Sequence, residues 1–229
     1  MGNHVQFKNA ISSVSHFGWL ADETQQALAK SAIHRNFDAG QVIYIEGEPA
    51  ESIFFLESGW VKAVRMTREG REQAMMFLRP VEVFGDIAVL TDTTYPGTVI
   101  ALEPVSVWSI PARTVLDLIA QYPDLAMAVI RHLGERVLYY VSLVEDLSLR
   151  SVEARLAHNL LQNAELRDGV LTVPRRYWTT FDEMAVRLGT VRDVLSRALK
   201  TLEGEGLLKV EKQSILLIDP AGLAERANR

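Results

Sequence analysis

The residues best suited to chemistry lie late in the chain. Arg192, Asp193, Ser196, Arg197 and Lys200 recur at the spacing that gathers side chains on one side of an α-helix. A guanidinium presents two parallel N–H donors that match O6 and N7 of guanine, and a carboxylate accepts from N4 of cytosine. Two arginines around an aspartate can therefore read base edges in a duplex that contains a G·C pair. An ordinary solvated helix face uses the same residue types, so the reading depends on how the helix is held.

The flanking residues supply that holding. Thr180 suits an N-cap, and Glu183 three residues on completes the pattern of a capping box. Ala185 is small where two helices must cross closely, and Gly189 permits the left-handed residue that ends the first helix. The second helix begins near Val191 and buries Val194, Leu195, Ala198, Leu199 and Leu202. Its polar face lies toward the N-terminal end, where a recognition helix meets bases. Beyond it, Gly206–Val210 and Ser214–Ile218 read as a β-hairpin with Lys212 and Gln213 at the tip. Such a wing brings Lys212 to phosphate. The candidate DNA contacts are thus Thr180, Thr190, Arg192, Asp193, Ser196, Arg197, Lys200 and Lys212.

A net charge of −5 is unusual for such a role, but its distribution is uneven. Residues 148–229 carry 13 Lys and Arg against 11 Asp and Glu, a balance of +2, whereas residues 1–147 carry 11 against 18, a balance of −7.

Ahead of this region lies a long apolar seam. Ala126, Ile130, Leu133, Val137, Tyr140, Val144 and Leu147 alternate spacings of four and three within a helix expected over Asp124–Leu147. A narrow, sustained seam packs onto its own domain or onto a second copy. Its length favours the second copy, with Ile130, Leu133, Val137, Tyr140, Val144 and Leu147 as the dimerisation residues.

The first part of the chain reads differently. A short helix is expected over Ala21–Ala32, with Asp22 as its cap. Short β-rich runs follow at Val42–Ile45, Ile53–Leu56, Val61–Met66, Gln73–Leu78, Val99–Ala101 and Val105–Ile110. Glycine punctuates them, as in Glu46-Gly47-Glu48 and Glu69-Gly70-Arg71, and the spacing predicts a sandwich or barrel. After the seam, a helix over Val152–Ala164, a turn at Asp168-Gly169 and a strand at Leu171–Val173 lead into the two-helix segment.

Taken together, these stretches resemble the CRP/FNR family of bacterial transcription regulators. The resemblance rests on Ala39-Gly40-Gln41-Val42-Ile43, Glu46-Gly47-Glu48-Pro49-Ala50, Ser58-Gly59, Glu69-Gly70-Arg71-Glu72, Phe84-Gly85-Asp86 and the segment Glu183–Leu202. It implies an α+β chain in three parts. Residues 1–123 form a double-stranded β-helix (a jelly-roll-like sensor), 124–147 a dimerisation helix and 148–229 a winged helix-turn-helix. By the same resemblance Arg192, Asp193 and Arg197 occupy base-reading positions. Ser196 precedes the second arginine as in the FNR branch, and Asp193 replaces the commoner glutamate with a side chain one methylene shorter.

The resemblance also places an effector pocket at Phe84, Gly85, Asp86, Pro96, Gly97, Tyr140 and Val141. Members that bind a cyclic nucleotide have Arg-Ser where this chain has Pro96-Gly97, and Thr-Ser where it has Tyr140-Val141. Without that arginine a bound phosphate is buried without its main partner, which argues against cAMP. The absence of cysteine argues against an iron–sulfur cluster, and removes thiol catalysis and disulfides as well. Another small effector, haem-based gas sensing and no effector at all stay open. His16, just before the first helix, is the candidate haem ligand through likeness to the nitric-oxide-responsive members. His132 is a weaker candidate, and His34 and His158 read as structural.

The expected function is a homodimeric, DNA-binding transcription regulator, with double-stranded DNA, a second copy and RNA polymerase as partners. A cyclic-nucleotide-binding module that does not act on DNA is the alternative. No Ser/His/Asp order, metal-ligand cluster or phosphate loop points to an enzyme, and Glu46, Glu48 and Glu51 read as a turn with solvated charge. No apolar run approaches the roughly 18 residues of a membrane span. Residues Met1–Lys8 lack the basic and apolar regions of a signal peptide, so the expected location is cytoplasmic.

Overall fold

The computed structural model describes residues 2–228 apart from Ser15, residues 67–71, Asp168 and residues 176–178. The side chains of residues 2–5, Gln73, Tyr139, Leu143, Asp146 and Leu147 also lie outside the described set. The expected turn Glu69-Gly70-Arg71, the first residue of the Asp168-Gly169 turn and the Leu147 side chain therefore fall outside the described residues. The chain divides into two compact units, Met1–Val137 and Leu138–Arg229.

The first unit opens with helix α1 (Gly2–Ser12), a single 3-10 turn (Phe17–Trp19) and α2 (Asp22–Ser31). Strands β1 (Ile33–Phe37), β2 (Val42–Tyr44), β3 (Ser52–Ser58), β4 (Val61–Met66), β5 (Glu72–Leu78) and β6 (Val83–Phe84) follow. Then come α3 (Asp86–Leu90), β7 (Thr98–Ala101), β8 (Val105–Pro111), α4 (Ala112–Gln121) and the start of α5 (Pro123–Leu149). The strands form two antiparallel sheets, ordered β1-β8-β3-β6 and β2-β7-β4-β5.

β3 shows why the sequence here runs apolar without alternating. Side chains on a strand point to opposite faces in turn. Phe54 and Leu56 join Val61, Val99 and Val107 between the two sheets. Ile53 and Phe55 join Phe7, Leu28, Trp108 and Leu125 beneath the helices. Both faces are covered, so both sets of positions are apolar.

Helix α1 is absent from the sequence expectations, although Phe7 and Ile11 stand four residues apart and both are fully buried. The Phe7 ring meets Phe55 and Trp108 edge-on at centroid distances of 5.8 and 5.4 Å. The sequence also suggests Asp22 as the cap of α2. The structure puts Ala21 at the cap, while Asp22 pairs with Lys8 at 2.7 Å. The capping carboxylate comes from Asp124 on α5, which accepts the Ala21 N–H at 2.9 Å and the Thr24 hydroxyl at 2.9 and 3.0 Å.

The second unit contains α6 (Val152–Gln162), β9 (Glu165–Arg167), β10 (Val170–Pro174), α7 (Phe181–Arg187), α8 (Arg192–Gly204), β11 (Leu208–Val210), β12 (Ser214–Leu217) and α9 (Pro220–Ala227). Its sheet runs β11-β12-β10-β9, all antiparallel. Leu156, Leu160, Ala185, Leu195, Leu199, Leu202, Ile215 and Leu223 form its core. Val194, expected in that core, is only half-buried.

Candidate functional site

The two helices are held by the local signals in their sequence. The Thr180 hydroxyl accepts the Glu183 N–H at 3.2 Å and caps α7. At the other end Gly189 has φ +61°, a left-handed conformation that costs glycine little. Its N–H reaches Val186 O at 2.9 Å, and the Thr190 N–H reaches Ala185 O at 2.9 Å. This pair of bonds is the Schellman motif, and it turns the chain sharply into α8.

α8 presents Arg192, Asp193, Arg197 and Lys200 as exposed residues, with Ser196 half-buried beside them. Arg192 Nη1 lies 3.3 Å from Asp182 Oδ2 on α7. Both side chains remain exposed, so this pair holds the arginine weakly and leaves it able to exchange partners. The Arg197 Nε–H lies 3.4 Å from Asp193 O. Thr180 is exposed at the start of α7, and Thr190 is half-buried at the turn.

The wing forms as expected. β11 and β12 pair Leu208 with Leu217 and Val210 with Ile215, and Lys212 is exposed at the tip. Two further contacts tie it down. Glu203 of α8 accepts the Val210 N–H at 2.8 Å. Arg175 gives its backbone N–H to Gln213 O at 2.8 Å and its Nη1 to Glu211 O at 3.2 Å, with its guanidinium 4.8 Å from the centre of the Phe181 ring. The sequence alone does not single out Arg175 and Glu203, because their partners are backbone groups several to many residues away.

α5 displays the seam. Ile130, Val137, Tyr140 and Val144 are exposed in the single chain, and Leu133 is half-buried. Met127, Leu138 and Val141 are exposed as well, at spacings that place them in a neighbouring row of the same helix. The exposed apolar face is therefore wider than one seam.

In the first unit, Phe84 and Asp86 are buried around Gly85, whose φ is +77°. Gly97 is buried against β4, where an added Cβ would meet Val64 O at 2.9 Å, while Pro96 is exposed. Tyr140 and Val141 belong to the exposed part of α5 in the second unit. Between the sheets, aromatic rings pack on one another. Tyr44 stacks on Tyr95 at 3.8 Å, Phe54 stacks on Phe84 at 5.1 Å, and Tyr95 Oη donates to Ser52 O at 2.8 Å. Burial, followed by the neighbouring Tyr95 and Asp86, pushes the Tyr44 hydroxyl well above its usual value.

Asp86 does not stand free in this pocket. Arg136 of α5 donates from Nη1 to Asp86 Oδ1 at 2.8 Å, and His132 Nε2 lies 3.5 Å from Asp86 Oδ2. Burial opposes ionisation of Asp86, yet His132, Arg136 and the Ile87 N–H outweigh it and hold the carboxyl below the usual carboxylate value. A small apolar cavity of about 20 Å³ adjoins His132, Asp86, Phe17 and Phe55.

The space beside His132 does not admit haem as arranged. The cavity beside His132 has room for about one water molecule. His16 Nε2 lies 2.7 Å from Glu135 Oε1, and the His16 side chain is 23% exposed. His34 Nε2 lies 2.9 Å from Glu57 Oε2, and His158 Nε2 lies 2.8 Å from Gln162 Nε2.

Residues 34–122 match the cyclic nucleotide-binding domain, and residues 154–226 match the Crp-like helix-turn-helix domain. The chain is 27% identical over 205 residues to a CRP-like cAMP-activated global transcriptional regulator of Mycobacterium tuberculosis, covering 88% of this chain and 91% of that protein. It is 28% identical over 200 residues to the global nitrogen regulator of Synechococcus elongatus, covering 83% and 87%. Its fold is similar to that of a putative cyclic nucleotide binding protein from Ruegeria pomeroyi, with a TM-score of 0.67, 26% identity and 99% of each chain covered.

Proposed function

Because the chain belongs to the CRP/FNR family of DNA-binding transcription regulators, we propose that it works as a homodimer on a two-fold operator, through an effector response that does not use cAMP. The observation that carries the DNA-reading half is the exposed set Arg192, Asp193, Arg197 and Lys200 on a helix whose opposite side is fully buried. Paired copies of α5 present two such helices. They enter successive major grooves, with half-site centres about 34 Å apart. Lys212 on the wing and Thr180 at the start of α7 supply phosphate contacts that fix the register. RNA polymerase is the partner that family membership suggests.

Two features support a response without cAMP. Pro96 and Gly97 bring no charge to a cyclic phosphate. The one buried carboxylate of the turn, Asp86, is already engaged by Arg136. No helix among the described residues is long and apolar enough to cross a membrane.

Selection of bound duplexes from a random pool tests the proposal, run with and without cAMP. The expected product is a pseudo-palindrome whose recovery does not depend on cAMP. A pool that shows no enrichment under either condition removes the DNA-reading assignment of α8. Enrichment only with cAMP removes the effector half alone.

A further inference from the structure

The carbonyl of Val191 accepts the Leu195 N–H at 3.0 Å and so opens α8, but the Val191 side chain has no such part in the unit. Val191 is the N-cap of α8, with φ −111° and ψ 156°, and its side chain makes no capping bond. Ser, Thr, Asp or Asn at an N-cap would receive one of the free N–H groups of the first turn, and valine cannot. The other α-helices of the unit that follow α5 are capped by side chains, from Ser151, Thr180 and Asp219. Nor does Val191 belong to the core: it is 64% exposed, and the core positions of α8 begin at Leu195. A branched apolar side chain is thus left in water at the tip of the helix, next to the arginine that begins it.

We propose that Val191 reads the 5-methyl group of a thymine, and so specifies T at one position of each half-site, near the bases met by Arg192. The inference rests on the assignment of α8 as the DNA-reading helix. The N-terminal residues of such a helix are the ones that approach base edges. Thymine alone among the four bases puts a methyl group into the major groove, and apolar side chains recognise it. Against a phosphate the valine side chain, unlike its backbone N–H, has no group to offer. Against a methyl group it removes apolar surface from water on both partners. Arg192 and Arg197 read hydrogen-bonding edges, and Val191 adds the one major-groove feature that hydrogen bonding does not report.

Uracil differs from thymine only in lacking that methyl group, which makes the test direct. In the duplex recovered by selection, each thymine of a half-site is replaced by uracil in turn, and the Kd of the full chain is measured by titration. At one position the replacement should weaken binding about three- to five-fold. Val191→Ala and Val191→Ser should bind the thymine duplex more weakly by a similar factor and be indifferent to uracil there. Val191→Ser also restores a helix cap, so a thermal melt at or above that of the parent separates lost recognition from lost folding. Thr190→Ser, which removes the neighbouring methyl group, should keep the uracil effect. The proposal is overturned if no uracil replacement matters, if both Val191 variants keep the effect, or if Thr190→Ser abolishes it. A chain that binds no selected duplex fails at the first titration, and that outcome overturns the assignment of α8 as well.

Discussion

Arg136 and Asp86 lie 50 residues apart in sequence, yet the guanidinium Nη1 stands 2.8 Å from the carboxylate Oδ1, with side chains 19% and 7% exposed. The carboxylate follows the left-handed Gly85 at the start of α3, so the ion pair ties the Gly85-Asp86 turn to α5. An effector that moves this turn therefore acts on α5 directly, which is the kind of two-state element on which a ligand can act.

Removing Arg136 leaves the buried Asp86 carboxylate with His132, at 3.5 Å, in place of the closer 2.8 Å guanidinium contact. Arg136→Ala should destabilise the first unit by about 2–4 kcal/mol, a range lowered from the fully buried case because the arginine keeps some exposure. Asp86→Ala together with Arg136→Met should recover most of that loss, since the buried carboxylate is then removed as well. Urea unfolding followed by circular dichroism measures both. If Arg136→Ala unfolds at the parent midpoint, the pair is not a structural tie.

The same carboxylate makes stability depend on pH, with a definite sign. Asp86 is held below its ordinary value of 3.8 in the folded chain, against burial, by His132 and Arg136. Its contribution is therefore fully present above the unfolded value and is lost as pH falls through the lower folded value. The urea midpoint of the parent should exceed that of Asp86→Asn at pH 6, and the gap should close as the pH drops below about 4. A gap that widens on acidification contradicts the depressed carboxyl.

The recognition segment was legible in the sequence because its signals are local. A cap at Thr180, a left-handed glycine at 189 and an apolar period that leaves Arg192 and Arg197 exposed all sit within 18 residues. The α5 seam was legible for the same reason, but the neighbouring exposed row of Met127, Leu138 and Val141 was not, because a single heptad pattern does not report it. What escaped was non-local. Asp86 meets Arg136, and Asp124 serves α2, only because the fold brings distant segments together. Helix α1 escaped because it shows no cap or boundary signal, although Phe7, Ile11 and Val14 keep helical spacing.

Arg197 and Lys212 should fail in different ways. An arginine that grips guanine contributes about 1–3 kcal/mol of discrimination at one base pair, so Arg197→Ala should relax preference at that position. A lysine on phosphate carries no sequence information. Lys212→Ala should weaken all duplexes alike and make the slope of log K against log salt shallower by about one per half-site. Titrations on selected and scrambled duplexes at several salt concentrations separate the two. Uniform weakening by Arg197→Ala makes it a phosphate contact, and altered base preference in Lys212→Ala places the wing in a groove.

The exposed face of α5 offers a surface on which two copies can pair. Val137 is 60% exposed in the single chain and lies at the middle of the seam that includes Ile130 and Val144. In a two-fold helix pair, symmetry brings the same position of both copies near the axis. Val137→Glu therefore places two carboxylates together in an apolar interface, where each unpaired charge costs several kcal/mol. In the single chain the same substitution puts a charge into water and leaves the fold intact. Sedimentation equilibrium should show a dimer for the parent and a monomer for Val137→Glu, with matching circular dichroism spectra. Operator affinity should fall as well, because a single recognition helix then engages only one half-site. A Val137→Glu protein that stays dimeric would move the pairing surface off this row of α5, and a parent that is monomeric while binding its operator tightly would remove the two-fold arrangement altogether.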